Sequence, residues 1–302
     1  MLAPMLIDPY GRTISNLRIA VTNRCNLRCI YCHREGESGG GELPAERIAE
    51  IAEAFLNLGV RKVKITGGEP LLRDDICDIV AMLEGFDEVS MTTNGTMLAE
   101  KAYELKESGL RRVNISLDTL NAEKYEFITG SDALEDVIAG VEAARDAGLE
   151  PIKLNMVVMK GVNEDEVDEL LNFAKSVGAI LQLIELVPVG KMKDYYFNIS
   201  RIEEKYALAA YEVRVRAMHR RRQYVTPRGV IEFVKPLDNS EFCLHCNRIR
   251  VTSDGKVKPC LLSDAALNLE GLRGDELVEA IKRAVSMRRP RFASLAELTK
   301  KF

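Results

Sequence analysis

The run Leu17-Arg18-Ile19-Ala20-Val21-Thr22-Asn23-Arg24-Cys25-Asn26-Leu27-Arg28-Cys29-Ile30-Tyr31-Cys32 is a short β-branched stretch that passes directly into a loop carrying three thiols. Its first half predicts a strand from Leu17 to Thr22. Further strand-like runs follow at Val63 to Thr66, Glu88 to Thr92, Val113 to Leu117, Ile152 to Val158 and Ile180 to Leu186. Helix-like amphipathic stretches, such as Pro44 to Leu58 and Glu164 to Val177, separate them. This alternation predicts an α/β fold of six βα units with a parallel sheet over residues 1–210. Gly59, Gly109, Gly148 and Gly178 each fall just after a helix-like stretch, where a left-handed C-cap is wanted.

The polar and glycine-rich residues collect where strands end. Arg24-Cys25 follows the first strand, Gly67-Gly68-Glu69-Pro70 the second and Thr93-Asn94-Gly95 the third, while Ser116-Leu117-Asp118 closes the fourth. In parallel β/α barrels that rim is where chemistry is built. After about residue 211 the alternation gives way to a basic, β-leaning stretch, a cysteine pair, a third cysteine and a helix from about Asp275 to Met287. These residues, 211–302, are expected to form a smaller second domain.

Composition places the chain in the soluble globular class: 302 residues, 46% hydrophobic and 29% charged. The opening Met1 to Ile7 is apolar but has no basic leader and stops at Asp8, too short for a membrane span. The expectation is a cytoplasmic protein without a membrane partner. A net charge of -4 argues against a general nucleic-acid-binding surface. Arg214, Arg216, His219, Arg220, Arg221, Arg222 and Arg228 crowd one stretch, and a solvated positive face is its ordinary explanation.

Seven cysteines in a reducing compartment suggest metal when they group as 25/29/32 and 243/246/260. Cys77 is left over, in a helix-like stretch where a small buried thiol is ordinary. Three thiolates from one loop can hold three irons of a 4Fe-4S cube and leave the fourth iron open. For the second triad zinc stays open, because His245 could complete a Cys3His set. Its place between Cys243 and Cys246 makes joint ligation awkward.

The first spacing, with Tyr31 before the last cysteine, is the radical S-adenosylmethionine signature, and Thr66-Gly67-Gly68-Glu69-Pro70 resembles that superfamily's cofactor-binding loop. Asp8-Pro9-Tyr10-Gly11-Arg12, Leu17-Arg18, Thr92-Thr93-Asn94-Gly95, Asn114 to Asp118 and Cys243 to Cys260 extend the likeness over roughly residues 8–290. Together they resemble the GTP 3',8-cyclase family, which opens molybdenum-cofactor biosynthesis. The resemblance implies a partial parallel β/α barrel of the radical S-adenosylmethionine type. It also implies two 4Fe-4S clusters, the second facing the substrate base, and an electron donor of ferredoxin or flavodoxin type. Tyr31, Gly68, Ser116 and Val187 match positions that contact S-adenosylmethionine, although family members often carry methionine where this chain has Val187. Arg18, Lys64, Thr92, Lys153, Arg248 and Arg250 match positions that contact GTP, with Arg18 also expected to be catalytic. Lys64 replaces an arginine common in the family. The chemistry implied is hydrogen abstraction from ribose carbon 3' of GTP by a 5'-deoxyadenosyl radical, then closure onto guanine carbon 8.

The residues themselves support parts of this. Arg248 and Arg250, two apart on an extended strand, point to one side and suit phosphate. Lys64 and Lys153 lie on strand segments otherwise destined for burial, so their charge wants an anionic partner. Gly67 and Gly68 allow close backbone approach to a ligand, and Glu69 can accept from an amino group. Two rivals remain: another radical S-adenosylmethionine enzyme with an auxiliary cluster, such as a peptide modifier, and a zinc-stabilised nucleic-acid-binding module. Many family members end in a Gly-Gly pair, whereas this sequence reads Leu298-Thr299-Lys300-Lys301-Phe302. A short surface helix using Phe292, Leu295 and Leu298 is expected there.

Overall fold

The structure is a computed structural model and describes residues 5–33, 41–188, 190–237, 239–261 and 263–290. The expected helix at Phe292, Leu295 and Leu298 lies outside the described residues. The alternation is realised in chain order as β1 (Asn16–Ala20), α1 (Ala45–Asn57), β2 (Lys62–Thr66), α2 (Ile76–Met82), β3 (Glu88–Thr93), α3 (Leu98–Glu107) and β4 (Arg112–Ser116). There follow α4 (Ala122–Thr129), α5 (Leu134–Asp146), β5 (Lys153–Val158), α6 (Val167–Ser176), β6 (Ile180–Glu185) and α7 (Ser200–Ala209). The remainder carries β7 (Glu212–Val215), β8 (Arg222–Thr226), β9 (Gly229–Val234), α8 (Ser240–Leu244), β10 (Arg248–Val251), β11 (Lys256–Lys258), β12 (Leu267–Asn268) and α9 (Gly274–Ser286). Gly59, Gly109, Gly148 and Gly178 have φ of +86°, +105°, +70° and +69°, the left-handed values expected after a helix.

Among the described residues the strands form one sheet in the order β12-β11-β10-β1-β2-β3-β4-β5-β6-β9-β8-β7. Six parallel strands were expected from the alternation. The parallel run is eight long, because β10 pairs parallel with β1 and β9 parallel with β6. The residues after 211 therefore add strands to both edges of the first sheet, β7 to β9 on one side and β10 to β12 on the other. Their pairing partners lie far back in the chain, which is why local periodicity could not place them.

Successive residues of a strand face opposite ways, which sorts the central strands into an apolar and a polar set. Leu17, Ile19, Val63, Ile65, Met91, Val113, Ile115, Leu154, Met156, Leu181 and Leu183 are buried in one core with the helices, for example with Ile48, Ile51 and Phe55 of α1. Each fully buried side chain of this size contributes roughly 1.5–3 kcal/mol. The other set, Arg18, Lys64, Ser90, Thr92, Asn114, Lys153, Asn155 and Gln182, forms a polar inner face. Interiors of closed β/α barrels are normally packed with branched apolar side chains. An interior of lysine, arginine and amide side chains is instead the lining of a site for a polar ligand.

Candidate active site

Tyr31, Gly68, Ser116 and Val187 all fall at the C-terminal ends of parallel strands, following β1 and β2, closing β4 and following β6. The structure so gathers the four residues expected to contact S-adenosylmethionine along one rim. The cysteine loop after β1 is held on that rim from two sides. On one side Tyr31 donates its hydroxyl to Asp118 Oδ2 at 2.6 Å, while Val157 N donates to Asp118 Oδ1 at 2.8 Å. Burial pushes the Asp118 carboxyl up to about 6. Asp118 is a positioning residue that the sequence showed only as the end of a motif.

On the other side Gly68 N donates to Thr22 O at 2.9 Å and Glu69 N to Arg24 O at 2.7 Å. A Cβ on Gly67 would stand 2.4 Å from Thr22 O, and one on Gly68 would stand 2.0 Å from Arg24 O. The close approach that these glycines permit is thus made to the chain's own cysteine loop. Glu69 is held by its neighbours within the protein. It is fully buried, and its carboxylate accepts from Leu71 N at 3.0 Å, Thr93 Oγ1 at 2.7 Å and Asn94 N at 2.6 Å. It ties the second and third loops together through three of its acceptor positions. Gly68→Ala should shift the cysteine loop and cost roughly 1–3 kcal/mol or more, since the clash is with backbone. A thermal midpoint and iron content equal to wild type would show that the clamp is dispensable.

Cys25 and Cys32 are exposed and Cys29 half-buried. The Cys29 thiol is pushed up to about 12, first by burial and then by Asp118 and the Cys32 and Cys25 sulfurs. Iron binding there must displace a proton. Among the described residues no three His, Cys, Asp or Glu side chains are grouped to hold a metal ion as they stand. Cys25, Cys32 and Cys260 are exposed and so accessible to incoming iron. A soft set of three thiolates on one loop fits an iron-sulfur cube.

The second triad lies at the opposite end of the sheet. Cys246 precedes β10, whose Arg248 stands beside Asn16 at the start of β1, and Cys260 follows the antiparallel β11 back to the same level. Arg18, in the middle of β1, lies between the two cysteine sets. Asp8 and two arginines brace the second loop. Asp8 Oδ2 accepts from Arg12 Nε at 2.5 Å and Arg288 Nε at 2.9 Å. Arg12 Nη1 then donates to Cys243 O at 2.8 Å, and Arg288 Nη2 to Cys246 O at 2.7 Å. Burial would raise the Cys246 thiol, but the charges of Arg288 and Arg248 outweigh it and hold it below its ordinary value. His245 Nδ1 lies 3.0 Å from Glu241 O, so that ring nitrogen is turned to backbone and not to the cysteines.

Between the triads the cations converge. Burial chiefly, then the charges of Arg112, Arg18, Arg248 and Lys153, hold the Lys64 amine well below its usual range. Its partner is the neutral Asn114 Oδ1, at 2.8 Å. Arg248 is likewise lowered by burial and by Arg18 and Arg250. Thr92 Oγ1 is buried with no hydrogen-bond partner among the described residues, an omission that costs roughly 1–3 kcal/mol unless a ligand fills it.

Lys153 has the anionic partner that its burial calls for. Its anionic partner comes from the protein: Glu232 on β9 accepts from it at 2.6 Å and also pairs with Arg221 at 2.9 Å. The basic stretch at 214–228 is also divided. Arg214, Arg220, Arg222 and Arg228 are solvated, whereas His219 and Arg221 turn inward. His219 is buried, has φ +62° and stacks on Phe242 with ring centroids 3.6 Å apart. Neither inward residue was legible, because both sit in a run of charges that otherwise faces water.

A parallel βα sheet with three thiols in the loop after its first strand is the architecture of a radical S-adenosylmethionine enzyme. The sequence matches the Radical SAM superfamily over residues 19–174 and the Molybdenum Cofactor Synthesis C family over residues 179–294. Streptococcus suis SuiB bound to S-adenosylmethionine shares the fold with a TM-score of 0.68 at 18% identity, over 89% of this chain and 64% of SuiB. Native anSMEcpe with bound AdoMet does so with a TM-score of 0.64 at 19% identity, over 94% of this chain and 83% of that one. A protein of Archaeoglobus fulgidus named probable GTP 3',8-cyclase is 60% identical over 95% of this chain and 99% of its own length. One of the same name from Methanocella arvoryzae is 46% identical over 96% and 95%. The chain belongs to the GTP 3',8-cyclase family.

Proposed function

We propose that this protein converts GTP to 3',8-cyclo-GTP, the lyase step of molybdenum-cofactor biosynthesis. The observation that carries the reading is the inner face of the sheet. Arg18, Lys64, Arg248 and Arg250 meet there beside the unpartnered Thr92 hydroxyl, with a cysteine triad at either end. A triphosphate suits a lining of guanidinium and ammonium groups, and a purine offers polar edges to the same kinds of donor. Lys153 is held by Glu232, so it is placed to donate to substrate while its charge is already balanced.

In this reading Cys25, Cys29 and Cys32 hold one 4Fe-4S cluster, and Tyr31, Gly68, Ser116 and Val187 line S-adenosylmethionine. Val187 offers no polar side chain, so its contact is through backbone. When bound, these groups supply the electron and the hydrogen-abstracting carbon centre. Cys243, Cys246 and Cys260 hold a second cluster on the substrate's far side. The chain's own residues fix the phosphates, orient the ribose toward the C-terminal rim and keep water out. Arg18, level between the triads, touches substrate nearest the reacting atoms. A ferredoxin- or flavodoxin-type donor would deliver the electron in the cytoplasm. Among the described residues no helix is long and apolar enough to cross a membrane.

Anaerobic reconstitution, then incubation with reductant, S-adenosylmethionine and GTP, should yield a cyclised product isobaric with GTP and distinct from it on chromatography. Arg248→Ala and Arg250→Ala should each weaken GTP binding by about one to two decades, the worth of a charge-assisted contact, with iron content intact. Unchanged GTP affinity in both variants would remove these residues from the site.

A further inference from the structure

Resting on the cyclase reading above, we propose that Arg221 is a further substrate contact, donating from Nε to a phosphate of GTP while Glu232 and Gln182 hold the other edge of its guanidinium. Arg221 lies just ahead of β8, and its side chain reaches over β9 towards β6. There its Nη1 pairs with Glu232 Oε1 at 2.9 Å and donates to Gln182 Oε1 at 3.2 Å. Lys153 of β5 uses the same two side chains, donating to Glu232 Oε2 at 2.6 Å and to Gln182 Oε1 at 3.4 Å. The ammonium expected to meet substrate and the Arg221 guanidinium are so held side by side, a pairing that suits anionic oxygens.

Two further observations set Arg221 apart from its basic neighbours. Its side chain is only 12% exposed, and its Nε is buried with no hydrogen-bond partner among the described residues. In the planar guanidinium that donor lies on the edge away from Nη1, so the contacts to Glu232 and Gln182 leave it unused. A buried donor left unpaired is costly, and an acceptor on a ligand removes the cost. The backbone is also bent to bring the side chain in. His219 and Arg220 have φ of +62° and +51°, the only non-glycine residues among those described with positive φ, and Arg216 N donates to Arg221 O at 2.8 Å to close the turn. Residues so strained persist where the surrounding structure holds them, and they cluster at ligand sites. Here the turn leaves Arg220 and Arg222 exposed and directs Arg221 inward. An arginine suits the place because its fork can serve the protein with one edge and a phosphate with another. In the sequence Arg220-Arg221-Arg222 reads as one solvated run.

The test compares cluster-loaded wild type, Arg221→Gln and Arg221→Lys by calorimetry with GTP, guanosine and inorganic tripolyphosphate. Both variants should bind GTP and tripolyphosphate about tenfold or more weakly and guanosine as wild type does, with iron content unaltered. Arg221→Lys keeps a charge beside Glu232 and so separates the contact from charge balance. Unchanged GTP and tripolyphosphate affinity in Arg221→Gln would overturn the proposal. So would wild-type affinity in Arg221→Lys alone, which would mean that charge and not the fork matters. An equal loss for guanosine, or a loss of iron, would overturn it too, since each marks a structural role. If wild type bound tripolyphosphate in an Arg221-dependent way but formed no cyclised product from GTP, the contact would stand and the cyclase reading would fall. If wild type cyclised GTP and both variants bound it normally, the reading would stand and the contact would fall. If wild type bound neither ligand, both would fall.

Discussion

Replacing all three residues of the first triad, Cys25→Ala/Cys29→Ala/Cys32→Ala, is expected to remove about half of the iron that wild type takes up on reconstitution and to abolish cyclisation. GTP affinity should persist. The expectation follows from the distance between the triads along the sheet. Cys25 to Cys32 lie beyond the C-terminal end of β1, whereas Cys246 and Cys260 lie level with its start. No thiol of one set can substitute in the other without unfolding the strand between them. The variant also leaves the inner face untouched, so substrate should still bind. Iron per chain, the broad absorbance near 400 nm and GTP calorimetry make the test. Full iron content in the triple variant would mean that the ligands are divided otherwise than between these two loops.

The second large effect concerns a residue far from the chemistry. Asp8→Ala should destabilise the protein by roughly 3–5 kcal/mol, because it leaves two buried guanidinium groups without their shared carboxylate. Asp8 is 4% exposed, and its partners Arg12 and Arg288 have side-chain exposures of 8% and 4%. A fall of roughly 5–15 °C in Tm is expected for a chain of this size. The loss should not be uniform. Arg12 and Arg288 fix the carbonyls of Cys243 and Cys246, so iron held by the second triad should become labile while the first triad keeps its own. Asp8→Asn retains one acceptor and should fall between. Equal Tm and equal iron retention in Asp8→Ala and wild type would show that the cysteine loop is held by other means.

The six βα units, the helix-ending glycines, the grouping of the cysteines and the arginine pair at 248 and 250 were all legible in the sequence, because each depends on residues close together in the chain. Periodicity of two and of about 3.6 marks which face of a strand or helix meets the core, and a loop of three thiols declares itself by spacing alone. The same alternation held more than was read from it: the polar positions of β2, β4 and β5 are spaced by two, and with Gln182 of β6 they line the inner face. What only the tertiary structure decided was partnership. Lys153 looked like a charge awaiting substrate, yet Glu232 lies 79 residues later and reaches it only because β9 joins the sheet beside β6. Glu69 accepts from three donors in its own and the neighbouring loop, which its place in the sequence did not show. Asp8 joins Arg288 across 280 residues. A sequence specifies which groups carry charge or sulfur, but whether a charge is balanced from within or left for a ligand depends on which strands become neighbours. That is settled by long-range pairing, where burial makes an unmatched charge too costly to keep.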